Sequence, residues 1–148
     1  MARPRLEMAL AAAALTLALA VPAAAQEGPR RIALEVLVAY ISDQEGGVDP
    51  RAEELHAKLA DQFRYETLRV LDQRRLDLPL GVVESLELPN GKLLNLRAFQ
   101  LSSRGVLLGV TVKGSLQTDL RIPNGHLVVI GAEGYQDGKL VISLEPSW

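Results

Sequence analysis

The chain contains no cysteine, only two histidines, one tryptophan, three tyrosines and two phenylalanines in 148 residues. Without cysteine there is no disulfide framework and no thiolate metal site, and two isolated histidines supply too few ligands for a zinc centre. Charge of one sign is lacking as well. The 16 basic and 18 acidic side chains are spread along the sequence with no Lys/Arg block, which excludes the basic stripe of a nucleic-acid binder. Aromatic residues make up 4% of the chain, too few for the girdles of a membrane β-barrel. Catalytic signatures are also missing. No Ser lies in a Gly-x-Ser-x-Gly elbow, no Gly-x-Gly-x-x-Gly precedes a helix, and Asp43, Glu45 and Asp49 around Gly46-Gly47 lack the ligand alternation of a calcium loop. The sequence therefore carries no catalytic, cofactor-binding or metal-binding residues and points away from an enzyme.

The one long apolar run stands at the start. Arg3 and Arg5 precede Met8–Val21, which is built of Ala, Leu, Val and Met apart from Thr16, and Ala23-Ala24-Ala25 follows. A basic region, an apolar region too short to span a bilayer and small residues at a cleavage position form a secretory signal peptide, residues 1–25, cut after Ala25. Lack of cysteine at that position excludes a lipid anchor. Removing Arg3, Arg5 and Glu7 leaves 14 basic and 17 acidic side chains over residues 26–148, a net charge of −3. That remainder is expected to fold as one domain without disulfides, in the periplasm or outside the cell, with no membrane span.

Arg31–Ser42 alternates Ile32, Leu34, Val36, Val38 and Tyr40 with a second face that is also mostly apolar, the pattern of a central strand covered on both sides. Asp49-Pro50 opens a helix, with Asp as cap and Pro in the first turn, and Glu53 and Glu54 sit where the helix dipole favours negative charge. Ala52, Leu55, His56, Leu59, Ala60 and Phe63 form one apolar stripe, which places a helix over about Pro50–Phe63 lying on the sheet. From Tyr65 the period becomes that of a strand, long and twisted or broken, reaching Leu78 and ended by Pro79 and Gly81. Strands over Val83–Leu88, Lys92–Leu101, Val106–Lys113, Ser115–Ile122, His126–Gly131 and Lys139–Glu145 follow, with Ala132–Gly138 as a loop.

Two turns share one chemistry: Leu88-Pro89-Asn90-Gly91-Lys92-Leu93 and Ile122-Pro123-Asn124-Gly125-His126-Leu127. Pro presets the first corner, Asn tolerates the second and Gly takes the position with φ > 0, which is the chemistry of a hairpin ending in a bulge. Asp137-Gly138-Lys139-Leu140 is a looser third copy. Turn chemistry restricts residues strongly enough to explain the likeness without an internal duplication. Connections this short imply that sequential strands pair antiparallel. The expected fold is thus α+β: an antiparallel β meander, curved into a sandwich or half-barrel, with one amphipathic helix packed on it.

Arg69, Arg74, Arg75, Asp72 and Asp77 form the densest charge cluster and read as a strand edge protected by charge, with a partner-docking edge as the alternative. His56 lies on the helix stripe and His126 after a turn glycine, both ordinary positions for structural histidines. Leu140, Ile142 and Leu144 ahead of Trp148 look like a closing outer-membrane strand, but Pro146 interrupts them and several strands are too short to cross a membrane.

Val48-Asp49-Pro50, Leu88–Leu93 and Ile122–Gly131 together resemble small exported β-rich bacterial proteins to which no activity is attached. Asn124–Gly131 is similar to a hairpin of the secretin core domain, in which an Asp/Asn-Gly turn leads into an apolar strand ending Ile-Gly-Gly; here the second Gly is Ala132. The resemblance implies an envelope location and an accessory role beside secretion machinery. The expected function is a non-enzymatic protein-binding or scaffolding domain of the cell envelope whose partner is another envelope protein, with a periplasmic small-molecule or lipid carrier as the alternative.

Overall fold

A computed structural model describes residues 30–148; the segment 1–25, expected to be a signal peptide, lies outside them. The chain forms β1 (Arg31–Ser42), a 3-10 turn (Pro50–Ala52), α1 (Glu53–Leu59), β2 (Thr67–Pro79), β3 (Val83–Glu87), β4 (Leu93–Ser102), β5 (Gly105–Val112), β6 (Leu116–Ile122), β7 (Val128–Tyr135) and β8 (Gly138–Ser147). The strands build two open antiparallel sheets of four, in the orders β2-β1-β8-β7 and β3-β4-β5-β6.

Two-sided apolarity places β1 as the alternation implied. Its one face, with Ile32, Leu34, Val36 and Val38, meets Leu94, Leu96, Leu108 and Val110 of the second sheet in a core shared by both sheets. Its other face, with Leu37, Ala39 and Ile41, meets Ala52, Leu55 and Leu59 of the helical segment. The helix therefore covers the outer face of the first sheet. Leu34, Leu59, Leu94, Leu96 and Leu108 are fully buried, and each apolar side chain so enclosed contributes about 1.5–3 kcal/mol.

The helical segment is shorter than the stripe suggested. The Asp49 carboxylate accepts from the Arg51 amide at 3.0 Å, which tightens the first turn to 3-10, and the α-helix ends at Leu59 rather than Phe63. Beyond it Asp61 and Gln62 are exposed, and the Phe63 amide closes one last turn on the Leu59 carbonyl at 2.9 Å while its ring packs against the helix-facing cluster, so the helical ladder goes no further. Instead the Tyr65 hydroxyl lies 2.6 Å from His56 Nδ1, and the Glu66 amide donates to the Ser42 carbonyl at 2.9 Å, drawing the chain into β2.

The single meander is not formed. Strands β3 to β6 do meander, but β1 pairs with both β2 and β8, so the first sheet closes between opposite ends of the sequence. The segments β2–β3 and β6–β7 cross between sheets. At the first crossing the Leu80 amide donates to the Arg30 carbonyl just ahead of β1 and the Gly81 amide to the Ala98 carbonyl of β4. At the second, the Pro123-Asn124-Gly125 turn is no hairpin. Its Gly125 amide donates to the Pro146 carbonyl at 2.8 Å, docking the turn on β8. Pro89-Asn90-Gly91 does close a hairpin, with the Leu88 amide on Lys92 and the Gly91 amide on Leu88. β7 also runs past Gly131 to Tyr135. Gly131 at φ 64° forms a bulge, after which pairing with β8 resumes. The two-residue Gln136-Asp137 loop then joins β7 to β8, in place of the longer loop expected over Ala132–Gly138.

Candidate binding surface

Each sheet has two edge strands: β2 and β7 in the first, β3 and β6 in the second. An edge strand offers unpaired backbone N–H and C=O groups, and charged side chains are the usual protection. β2 carries Arg69, Asp72, Arg74, Arg75 and Asp77, with Arg74 bridged to Asp72 at 3.2 Å and Arg31 to Asp77 at 2.9 Å. The dense charge cluster thus lies on an edge. β3 is five residues long and holds Glu84 and Glu87, and β6 holds Asp119 and Arg121. β7 reads Val-Val-Ile-Gly-Ala-Glu-Gly-Tyr and has one ionisable carboxylate, Glu133.

That carboxylate is already engaged. The Asn90 amide donates to Glu133 Oε2 at 2.7 Å, the Lys92 ammonium lies 3.4 Å from Oε1, and Lys92 also donates to the Ser115 hydroxyl. Burial pushes the Glu133 carboxyl up, but the hydrogen bonds of Ser115 and Asn90 and the Lys92 charge outweigh it and hold the group below its usual range. The turn Asn90, on the second sheet, thereby pins an edge strand of the first. Asn124 makes the corresponding tether from the other Pro-Asn-Gly turn: its side chain donates to the Trp148 carbonyl at 3.1 Å and accepts from the Trp148 amide at 3.2 Å.

Beneath β7 lies a slot of about 90 Å³ between the two sheets. Leu88, Val112, Leu116, Ile130, Leu140 and Ile142 line it, while Gly131, Ser115 and Glu133 stand around it. Gly131 is exposed, and a Cβ there would come 3.7 Å from the Leu116 side chain of the opposite sheet. The bulged glycine thus sits directly above the slot.

A second, polar cleft of about 400 Å³ opens at one end of the first sheet, among Ser42, Asp43, Arg64, Tyr65, Asp137 and Lys139. Close by, the Tyr40 hydroxyl donates to Asp137, Tyr40 meets Tyr135 edge to face at 6.1 Å, and Arg69 lies over the Tyr40 ring. The shared proton moves the two groups apart, Tyr40 upward through the Asp137 bond and its burial, Asp137 downward through the Tyr40 bond. Burial also raises Tyr65. The space between helix and sheet is nearly filled, with a cavity of about 70 Å³ there.

The histidines do not meet Ser or carboxylate side chains. His56 pairs with Tyr65, and the hydrogen bond of His126 is from its backbone amide to Pro123. Glu53 and Glu54 stay in the first turn of α1, and Asp49 is taken up by capping, its carboxyl lowered to about 2 by the Arg51 side chain and amide. Among the described residues no group of three or more His, Cys, Asp or Glu could hold a metal ion, and no helix is long and apolar enough to cross a membrane. Neither the β7 edge nor the slot is legible in the residues alone, because both depend on β6 and β7 lying in different sheets. No protein-family model, curated protein or solved structure matches the chain.

Proposed function

We propose that the chain is an exported, non-enzymatic binding or scaffolding domain of the bacterial cell envelope, accessory to secretion machinery, and that β7 is its contact edge. One observation carries this reading: β7 alone of the four edge strands has a single charged residue, and that charge is spent on Asn90 and Lys92. An edge with open backbone groups and no repelling charge is the surface to which an extended segment of another protein adds as a further strand. The test is cross-linking capture of the tagged chain from its own envelope, compared with Gly134→Lys. A Cβ at Gly134 meets no atom within 4 Å, so the substitution places charge on the edge without a clash. One envelope protein captured by the wild type and by Gly47→Lys, which is equally unobstructed, but lost with Gly134→Lys is the expected result. Capture indifferent to Gly134→Lys, or no partner, overturns it.

The small-molecule reading rests on the polar end cleft, whose volume of about 400 Å³ falls within the range of ligand sites, roughly 300–1,000 Å³. The gap between helix and sheet, about 70 Å³, is too small for a lipid chain. Native mass spectrometry of the exported protein showing a retained small molecule would favour the cleft over the edge.

A further inference from the structure

We infer that the partner strand added to β7 anchors itself by one branched aliphatic side chain, leucine or isoleucine, inserted into the slot beneath Gly131. The inference rests on the proposed edge reading and specifies its ligand. Three features converge on it. The edge offers backbone groups at the regular spacing of a strand, which an extended peptide satisfies along its whole length. The slot beside it is lined by aliphatic side chains from both sheets, and its volume of about 90 Å³ is on the scale of one such side chain. Gly131 lacks the Cβ that would lie over the slot, and its φ of 64° disfavours any side chain at that position.

The charge pattern specifies the partner further. Of the residues lining the slot only Glu133 is charged, and it is already held by Asn90 and Lys92. A lysine or glutamate at the anchor position would enter an apolar space without a counter-charge, at a cost far above that of an aliphatic group. Residues of the partner on either side of the anchor point away from the slot by the alternation of a strand and are free to be polar.

The probes are two short capped peptides of alternating threonine and valine with lysine at each end, one with leucine at its centre and one with alanine. Each is titrated into the isotopically labelled chain while backbone amides are followed by NMR. The expected result is movement of the β7 amides from Val128 to Tyr135, with the leucine peptide bound about tenfold or more tightly than the alanine peptide. Val112→Leu adds a methylene from the slot wall and should abolish the preference, leaving the alanine peptide unaffected. If that variant does not fold, Leu116→Phe, at a half-buried position, serves the same purpose. Equal affinities for the two peptides overturn the anchor while leaving the edge in place. Absence of any β7 shift with either peptide overturns both.

Discussion

Asn90→Asp changes one amide to a carboxylate and leaves the turn otherwise intact, since the oxygen that accepts from the Lys92 amide at 3.1 Å is retained. What is lost is the 2.7 Å donation to Glu133, and what replaces it is one carboxylate against another. A hydrogen bond to a charged acceptor contributes about 1.5–3 kcal/mol, and two like charges about 4 Å apart repel by about 1 kcal/mol in water and about 4 at an effective dielectric of 20. The Glu133 side chain is 21% exposed, and Lys92 stands beside it, so the repulsion belongs near the low end. The expected loss is about 2.5–4 kcal/mol at pH 7, measured by urea unfolding.

The pH dependence separates charge repulsion from loss of shape. In the wild type Glu133 is depressed, so its contribution is complete above the unfolded value, about 4.3, and is lost as pH falls through the lower folded one. In the variant two carboxylates share the site and one is raised, so the penalty is complete at neutral pH and is relieved as pH falls through that raised value. Both trends narrow the gap between the proteins in acid. Adding Glu133→Gln to Asn90→Asp restores a donor–acceptor pair with the roles exchanged and should recover at least half the loss. Asn95→Asp, whose oxygen keeps its bond from Ser85, is the control and should stay within about 0.5 kcal/mol of the wild type. A loss that is constant between neutral and acid pH, or no recovery by Glu133→Gln, refutes the account of Glu133 as a pinned charge.

Two further substitutions test other joints of the fold. A Cβ at Gly138 would lie 2.2 Å from the Ile41 carbonyl oxygen, a backbone atom of the central strand that cannot give way, so Gly138→Ala should cost about 3 kcal/mol in urea unfolding, whereas Gly134→Ala should fall within about 0.5; equal effects would sink the close-approach argument. Asp49 is held at about 2, so its stabilisation is complete above its unfolded value, about 3.9, and is lost as pH falls through about 2. Asp49→Asn should therefore melt with a shallower pH dependence than the wild type between about pH 4 and pH 2, and identical slopes in calorimetry would show that the cap contributes nothing.

Local pattern made much of the architecture readable. The limits of β1 follow from two-sided apolar alternation because the strand is buried on both faces, and the helix start follows from Asp49-Pro50 because capping is a property of neighbouring residues. Arg69, Asp72, Arg74, Arg75 and Asp77 identified an edge because charge is tolerated on one and costly inside a sheet. Strand partnership was not readable in the same way. Ala33 pairs with Ser147, from the other end of the chain, and no local signal encodes that choice.

The two Pro-Asn-Gly turns show why. Their residues specify a reversal with Gly in the left-handed region, and both Gly91 and Gly125 adopt it, at φ 81° and 75°. The reversal leaves open whether the flanking strands bond to each other. After Asn90 they do, because Leu86 and Leu94 both face the inter-sheet core and pair directly across the turn. After Asn124 they do not. Leu127 belongs to the helix-facing cluster while Ile122 faces the inter-sheet core, so the chain must change layers between them, and Gly125 bonds to Pro146 instead of across the turn. The side chain that turn chemistry selects for its backbone tolerance then has an amide free for a second task, and in each turn it ties the second sheet to the first, through Glu133 or through Trp148. The β7 edge depends on that layer change. Had Asn124 closed a hairpin, β6 would have paired with β7, and neither the open edge nor the slot between Leu116 and Gly131 would exist.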